Sequence, residues 1–198
     1  MSAADENRRV SGEAAKSYAL RRESGFFDRY LCGASILDVG FRGGDTTAVP
    51  ITETAIGVDL DFPGYDGLTL PFANASQDAV FSSHCLEHIS DPIHALREWF
   101  RVTKVGGFVI VIVPHQFLYE KKRELPSNWS GEHLRFYTPG SLMAEVEGAL
   151  SPNSYRVRHL CDNDLRFDYT IGPDRHSFGC YEIELVLEKI PSPAWTLL

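Results

Sequence analysis

Residues 36–44 read ILDVGFRGG, a short apolar run that meets an acid and continues into a glycine-rich bend. A second run of this kind, TAIGVD at 54–59, ends in Asp59. Short apolar runs bounded by glycine and acids are typical of parallel strands that are buried on both faces. Because ligands of open α/β sheets bind beyond the carboxyl ends of the strands, the two stretches predict a binding edge at their tips.

The rest of the chain predicts a mixed α/β sheet with mostly parallel strands and an antiparallel C-terminal pair. Two further parallel strands are predicted at 78–84 and 107–114, the second at the centre of the sheet. The C-terminal pair is predicted at 154–160 and 180–190. In that last strand Glu182 and Glu184 alternate with apolar residues, which predicts one wetter face.

Helices are predicted on both faces of the sheet, at 11–31, at 91–106 and at 138–150. Asp91 and Thr138 are the expected N-terminal caps of the last two helices, and each is followed by a proline. The connections after the first and second strands are too short for ordinary crossover helices. We therefore expect shortened crossovers there and a cleft that is shallow on that side or completed by a second copy, as in a homodimer.

Length and composition bound the domain organisation and the class of ligand. With 198 residues and 43% apolar content, the chain is expected to form one domain over 1–198. Its parts are a helical segment at 1–34, a core at 35–150 and the terminal strands at 151–198. A net charge of -8 argues against nucleic acid as a partner. The charged N-terminus and the lack of a long apolar stretch favour a cytoplasmic protein without a membrane anchor.

The glycine bend is compatible with several ligands. A dinucleotide fingerprint G-x-G-x-x-G starting at Gly40 would need glycine where Arg42 and Asp45 stand, so the spacing argues against a nicotinamide cofactor. A plain turn explains a glycine at any bend. An acid followed by spaced glycines, as in Asp38, Gly40 and Gly44, suits a cofactor that carries an amino acid and a nucleoside. A carboxylate at Asp59 would then accept hydrogen bonds from both ribose hydroxyls.

Together the motifs ILDVGFRGG, IGVDLD, LPFANASQDAVFSSHCLEHISDP, VGGFVIVIVP and EHLRFYTPGSL resemble the class I S-adenosylmethionine-dependent methyltransferases over about residues 35–150. The resemblance is to type 11-like bacterial members that act on small molecules or glycans. It implies a Rossmann-like fold and S-adenosyl-L-methionine as the cofactor. It also implies methyl transfer to an oxygen, less readily a nitrogen, of a small molecule or saccharide precursor.

The resemblance also assigns cofactor-binding roles by position. Asp38 is the acid of the cofactor-binding motif. Gly40 and Gly44 approach the methionine part of the cofactor, and Asp59 binds its ribose. Asp66 and Leu70 border the adenine, and Ser83 and His84 lie near the methyl-bearing sulfur. Arg42 stands where the family has a glycine, which favours an alternative reading as a non-catalytic binding or regulatory subunit.

Two histidines are candidate catalytic bases for a hydroxyl acceptor. His115 follows the central strand at the binding edge, and His133 lies in the long segment before the last helix. Each also has a purely structural interpretation, as a loop cap or a loop-ordering hydrogen bond. The segment 115–137 mixes aromatic residues with cations, which suits a sugar carrying phosphate or carboxylate as well as it suits a solvated helix.

No metal site is predicted. The four cysteines are scattered without C-x-x-C spacing. His84 and His88 flank Glu87, but a helical H-x-x-x-H pair needs an established helix and a third ligand. We therefore expect Glu87 and His88 to be structural residues or to support residues that contact a ligand.

Overall fold

The computed structural model describes residues 8–195, which contain a six-stranded sheet in the order β2-β1-β3-β4-β6-β5. The strands are β1 (Ile36–Val39), β2 (Ala55–Val58), β3 (Gln77–Ser83), β4 (Thr103–Pro114), β5 (Tyr155–Asn163) and β6 (Glu182–Lys189). Strands β2, β1, β3 and β4 are parallel, and β6 is antiparallel to both of its neighbours, β4 and β5. The predicted mixed sheet is confirmed.

The helices are α1 (Gly12–Glu23), α2 (Phe26–Tyr30), α3 (Pro92–Val102) and α4 (Pro139–Ala149), with short helical turns at Leu86–His88 and Gln116–Glu120. Among residues 8–195 no helix occurs between β1 and β2, or between β2 and β3, so the shortened crossovers are confirmed. None of the helices in this part of the chain has the length and apolarity that a membrane span requires.

Strand β4 explains why its sequence is apolar at successive positions. Val109, Val111 and Val113 belong to the core cluster that α3 and α4 cover. Ile110 and Ile112 belong to the opposite cluster, which α1 and α2 cover. A strand that is buried on both faces cannot alternate polar with apolar residues, and the central position predicted for it is confirmed.

The starts of α3 and α4 follow the predicted caps. The Asp91 side chain accepts a hydrogen bond from the backbone N–H of His94 at 2.9 Å. Thr138 forms a reciprocal cap with Ser141, and a proline occupies the first turn of both helices. These side chains satisfy N–H groups that have no partner within the helix, so the local sequence sets where each helix begins.

The predicted end of α3 is wrong. The helix stops at Val102, and β4 already starts at Thr103, which pairs with Gln77 of β3. Thr103 and Val105 are β-branched and suit a strand, so pairing with β3 overrides the weak helical preference of this segment. The predicted helix at 11–31 is likewise two helices, separated at Gly25, whose positive φ of 72° no helix accommodates.

The wetter face predicted for the last strand is also wrong at its first two acids. Glu182 and Glu184 are buried, with 2% and 7% of their surface exposed. Strand β6 lies inside the sheet, and Arg21 of α1 donates hydrogen bonds to Glu182 Oε2 at 2.8 Å and to Glu184 Oε1 at 3.0 Å. The exposed positions are on β5, the edge strand.

Candidate functional site

A cleft of about 740 Å³ opens at the carboxyl ends of β1, β2 and β3. Its volume lies within the range of small-molecule and cofactor sites. Seven of the sequence-predicted site residues line it: Gly40, Gly44, Asp59, Asp66, Ser83, His84 and His133. The fold thus brings together residues that are far apart in the chain. Their individual roles remain predictions.

The other three predicted residues lie outside the cleft lining. Asp38 is buried beneath the bend and accepts a hydrogen bond from the Ile51 N–H at 2.6 Å. Leu70 is 2% exposed and packs in the α3 and α4 core. His115 sits at the end of β4, where its Nδ1 accepts from the Phe117 N–H at 3.1 Å.

The glycine bend depends on glycine at Gly40. This residue has φ of 76°, and an added Cβ would lie 2.5 Å from Cys85 Sγ. Its N–H donates to Val58 O at 2.8 Å, which ties the tip of β1 to the tip of β2. The backbone therefore turns into the cleft at a point that no side chain fits.

Arg42 does not obstruct the cleft. Its guanidinium forms an ion pair with Asp61 on the surface, and the residue is not part of the cleft lining. The Asp61 carboxylate, as hydrogen-bond acceptor, raises the pKa of Arg42, and Asp59 adds to this. The departure from the family glycine thus leaves the space beside Gly40 open.

Asp59 is held at the rim of the cleft by backbone donors. Its Oδ1 accepts from the Leu60 N–H at 2.9 Å and its Oδ2 from the Arg42 N–H at 3.3 Å. A carboxylate has about four acceptor positions, so both oxygens retain capacity for hydroxyl donors in the cleft. Asp66, further along the rim, is exposed and its pKa is lowered by hydrogen bonds from the N–H groups of Thr69 and Leu68.

His84 lies at the inner end of the cleft in a left-handed conformation with φ of 51°. Its Nε2 is 3.1 Å from Glu182 Oε1, and its Nδ1 is 3.7 Å from Glu87 Oε1. Burial alone would lower the pKa of His84, but the hydrogen bond to Glu182 and the charges of Glu87 and Glu13 raise it above its ordinary value. The ring is therefore charged more readily than a free histidine.

The sequence did not predict that the side chain of Glu87 is buried without a hydrogen-bond partner. It is fully buried, it lines the cleft, and neither carboxylate oxygen has a hydrogen-bond partner among residues 8–195. Burial raises the pKa of Glu87 to about 7, although the nearby His84 acts in the opposite direction. The sequence motif places Glu87 after β3, but its burial depends on the stretch around His133 and Leu134 that packs against it. We call this stretch the covering segment.

That covering segment carries His133. The His133 Nδ1 lies 2.9 Å from Glu120 Oε1, and Glu120 is itself buried and accepts from Ser127 Oγ at 2.8 Å. Burial lowers the pKa of His133 in spite of the Glu120 carboxylate. The lowered pKa favours the neutral ring, and the contact with Glu120 fixes its orientation.

The cations of the segment 115–137 do not face the cleft. Lys121 donates to Arg175 O at 2.9 Å, and Arg135 donates to Leu86 O at 2.8 Å. Neither these residues nor Lys122 and Arg123 line the cleft. The members of the segment that do are Tyr119, Ser130, Glu132 and His133.

Asp38 makes stability depend on pH. Burial raises the pKa of Asp38 to about 7, although the Ile51 N–H opposes the shift. Between pH 4 and 7 the unfolded chain releases this proton while the folded protein keeps it, so rising pH favours unfolding. Relative to Asp38→Asn, which retains an acceptor for Ile51, the parent is expected to lose up to about 4 kcal/mol across that range. Urea unfolding of both proteins at pH 4 and 8 measures this, and an unchanged difference would contradict it.

Comparison with known proteins agrees with this geometry. Residues 32–111 match the sequence model of a family described as a methyltransferase domain. A demethylmenaquinone methyltransferase of Renibacterium salmoninarum is 47% identical over 97 residues, which are 40% of this chain and 40% of that protein. A probable S-adenosylmethionine-dependent methyltransferase of Mycolicibacterium smegmatis is 28% identical over 142 residues, 61% of this chain and 55% of that protein.

The fold is shared with solved structures. A crystal structure of a SAM dependent methyltransferase from Aquifex aeolicus superimposes with a TM-score of 0.53 at 15% identity, covering 87% of this chain and 92% of that one. Identity this low shows the fold, which is the predicted Rossmann-like one. The chain matches 40% and 55% of the lengths of the two relatives above. The resemblance of the sequence to methyltransferases is nevertheless confirmed over residues 32–111, which match the methyltransferase domain model.

Proposed function

We propose that the protein transfers a methyl group from S-adenosylmethionine to an oxygen, with nitrogen as the less favoured acceptor atom, of a small molecule or saccharide precursor. The observation that carries this proposal is the shared cleft of the first two strand tips. Gly40 and Asp59 lie on one hollow of about 740 Å³, as a cofactor with an amino acid and a nucleoside requires.

The residues of the cleft fit this cofactor. The bend at Gly40 and Gly44 would take the methionine part, Asp59 the ribose hydroxyls and Asp66 the adenine edge. Ser83 supports the fit, because its Oγ is buried at the cleft and has no hydrogen-bond partner among the described residues. Bound S-adenosylmethionine supplies an electrophilic methyl group.

The chain contributes alignment and exclusion of water to methyl transfer. In-line displacement is accelerated when the acceptor atom is held close to the methyl group and along the axis of the breaking bond. Of the two predicted bases, His133 lines the cleft and His115 does not. A neutral His133 ring, oriented through Glu120, is the group placed to take a proton from an acceptor hydroxyl.

The charges at the acceptor end favour a neutral or cationic acceptor. Glu13, Glu87 and Glu132 line the cleft, and the cations of the segment 115–137 point elsewhere. Lys16 pairs with Glu13 at 3.0 Å, but no arginine or lysine among residues 8–195 lines the cleft, so a sugar phosphate or sugar acid would meet Glu87 and Glu132 without a compensating arginine or lysine. If the acceptor is a saccharide, we therefore propose a hydroxyl group of an uncharged sugar.

The test is binding followed by transfer. S-adenosylhomocysteine is expected to bind with micromolar affinity by calorimetry and to raise the melting temperature. Labelled methyl transfer is then measured with a panel of neutral sugars, phenols and amines, together with demethylmenaquinone analogues, which the name of the Renibacterium relative suggests. No thermal shift at millimolar S-adenosylhomocysteine would instead support the alternative of a non-catalytic binding or regulatory subunit.

We also propose that the chain forms a single domain over residues 1–198 and that two copies assemble as a homodimer. Both follow from the sequence argument, and sedimentation together with limited proteolysis would measure them.

A further inference from the structure

Three potential metal ligands converge at the acceptor end of the cleft. Glu87 Oε1 lies 3.7 Å from His88 Nε2 and 3.9 Å from His133 Nε2. All three ligand atoms lie within 4.8 Å of one another. Glu87 and His133 are buried, whereas the His88 side chain is 32% exposed.

The far side of each imidazole is already occupied. His133 Nδ1 lies 2.9 Å from a carboxylate oxygen of Glu120, and His88 Nδ1 lies 3.2 Å from the backbone oxygen of Glu132. An oxygen of this kind accepts the Nδ1 proton, so in the neutral ring the lone pair is on Nε2. Metal-binding histidines typically have this arrangement, because the acceptor fixes both the tautomer and the ring orientation.

Glu87 gives a second, independent indication of a ligand. Its carboxylate is fully buried, and both oxygens lack a hydrogen-bond partner among residues 8–195. An unsatisfied buried carboxylate is costly, and such groups are normally paired or coordinate a metal. The nearest alternative partner is His84, whose Nδ1 is 3.7 Å from Oε1, too far for a hydrogen bond.

The covering segment and the turn after β3 are also fixed to each other. The Leu134 N–H donates to Glu87 O at 2.9 Å, next to His133 in the chain. This bond holds His133, which is far away in sequence, beside the local pair Glu87 and His88 and so brings a third potential ligand to them. The sequence argument against a metal considered a helical pair of His84 and His88, and not this group of three residues.

We propose that Glu87, His88 and His133 form a binding site for one divalent transition metal ion, with Zn²⁺ or Co²⁺ as suitable occupants. Two imidazoles and one carboxylate favour transition metals over Mg²⁺ or Ca²⁺, which prefer oxygen ligands throughout. Bond lengths of about 2.0–2.2 Å place tetrahedral ligand atoms about 3.3–3.6 Å apart. The two separations from Glu87 exceed this by a few tenths of an ångström, and the two imidazole nitrogens lie within 4.8 Å of each other, so rotation of both histidine side chains is needed to close the site.

The site goes beyond methyl transfer and does not depend on it. With three protein ligands, the remaining coordination positions face the cleft, where an oxygen of a bound molecule could enter. A metal-bound His133 is a ligand and no longer a base. Metal and general-base roles of this ring are therefore alternatives that the metal content of the protein decides.

The test is a titration of the chelator-treated full chain with Zn²⁺, without cofactor or acceptor. Calorimetry is expected to show one equivalent bound, and Co²⁺ is expected to develop visible absorption typical of nitrogen and oxygen ligation. His88→Ala and Glu87→Gln should each weaken Zn²⁺ binding more than about 100-fold, beyond the 10- to 100-fold cost of losing an outer-shell partner. Glu120→Gln, which alters a positioning residue, should fall within that smaller range.

Two features keep the result interpretable. His94→Ala removes an exposed histidine of α3 outside the cleft and should bind Zn²⁺ like the parent. His88 is partly exposed and Glu87→Gln removes a costly unpaired charge, so neither variant should melt below the parent. Equal Zn²⁺ affinity of His88→Ala, Glu87→Gln and the parent, or no stoichiometric binding, would overturn the site and leave the proposed methyl transfer untouched.

Discussion

Replacing Arg21 with alanine is expected to lower the free energy of unfolding by about 3–5 kcal/mol. Arg21 is 1% exposed and donates to Glu182 at 2.8 Å and to Glu184 at 3.0 Å. Burial tends to raise the pKa of Glu182, but Arg21 together with His84 holds it at about 2. Without the guanidinium, these two carboxylates lose the permanent charge that they share, while His84, His159 and the Asn163 amide remain within hydrogen-bond distance. Urea unfolding at pH 7 measures the loss.

Two variants separate this effect from the loss of an ordinary ion pair. Arg158→Ala breaks the surface pair with Glu188 and should cost no more than about 1 kcal/mol. Arg21→Met combined with Glu182→Gln and Glu184→Gln leaves no buried charge without a partner, so it should recover much of the stability that Arg21→Ala loses. A loss below about 1 kcal/mol in Arg21→Ala would show that water reaches these carboxylates.

The second large effect concerns cofactor binding. Asp59→Ala is expected to weaken binding of S-adenosylhomocysteine by about 100-fold or more. Two hydrogen bonds from ribose hydroxyls to a carboxylate are lost, and hydrogen bonds to a charged group contribute about 1.5–3 kcal/mol each. Calorimetry on the folded variant, checked by its melting temperature, gives the change in affinity.

Asp61→Ala is the matched control. Asp61 is a neighbouring aspartate of the same loop, but its carboxylate pairs with Arg42 at the surface and does not line the cleft. Its removal should change the affinity by no more than about fivefold, the range of a surface pair. If Asp59→Ala bound S-adenosylhomocysteine as tightly as the parent, Asp59 would not be the ribose ligand.

Local patterns were sufficient where the physical cause is local. The apolar run in β4 predicts burial on both faces, and the caps at Asp91 and Thr138 predict where α3 and α4 begin. Both patterns depend on residues within one or two turns of each other. The end of α3 was not predictable in this way, because pairing of Thr103 with β3 decides it.

The same distinction between local patterns and distant contacts applies to the candidate site. The residues Gly40, Asp59 and Ser83 follow directly from the strand ends, and the structure places them on one cleft. Leu70 and Asp38 carry the right residue types near the right motifs, yet packing puts both of them outside the cleft lining. Proximity in sequence to a strand tip does not determine which way a side chain points.

By itself, the sequence predicted where the strands lie, which of them are parallel and the edge at which the tips of the first two meet, because short apolar runs and connection lengths indicate strand burial and direction. Only the tertiary structure decided the electrostatics. Segments distant in sequence remove water from the carboxylates of Glu182 and Glu87. They decide whether Glu182 is solvent-exposed or paired with Arg21, and whether Glu87 has a hydrogen-bond partner. Removal of water from a charge is a property of the packed molecule, and no local pattern encodes it.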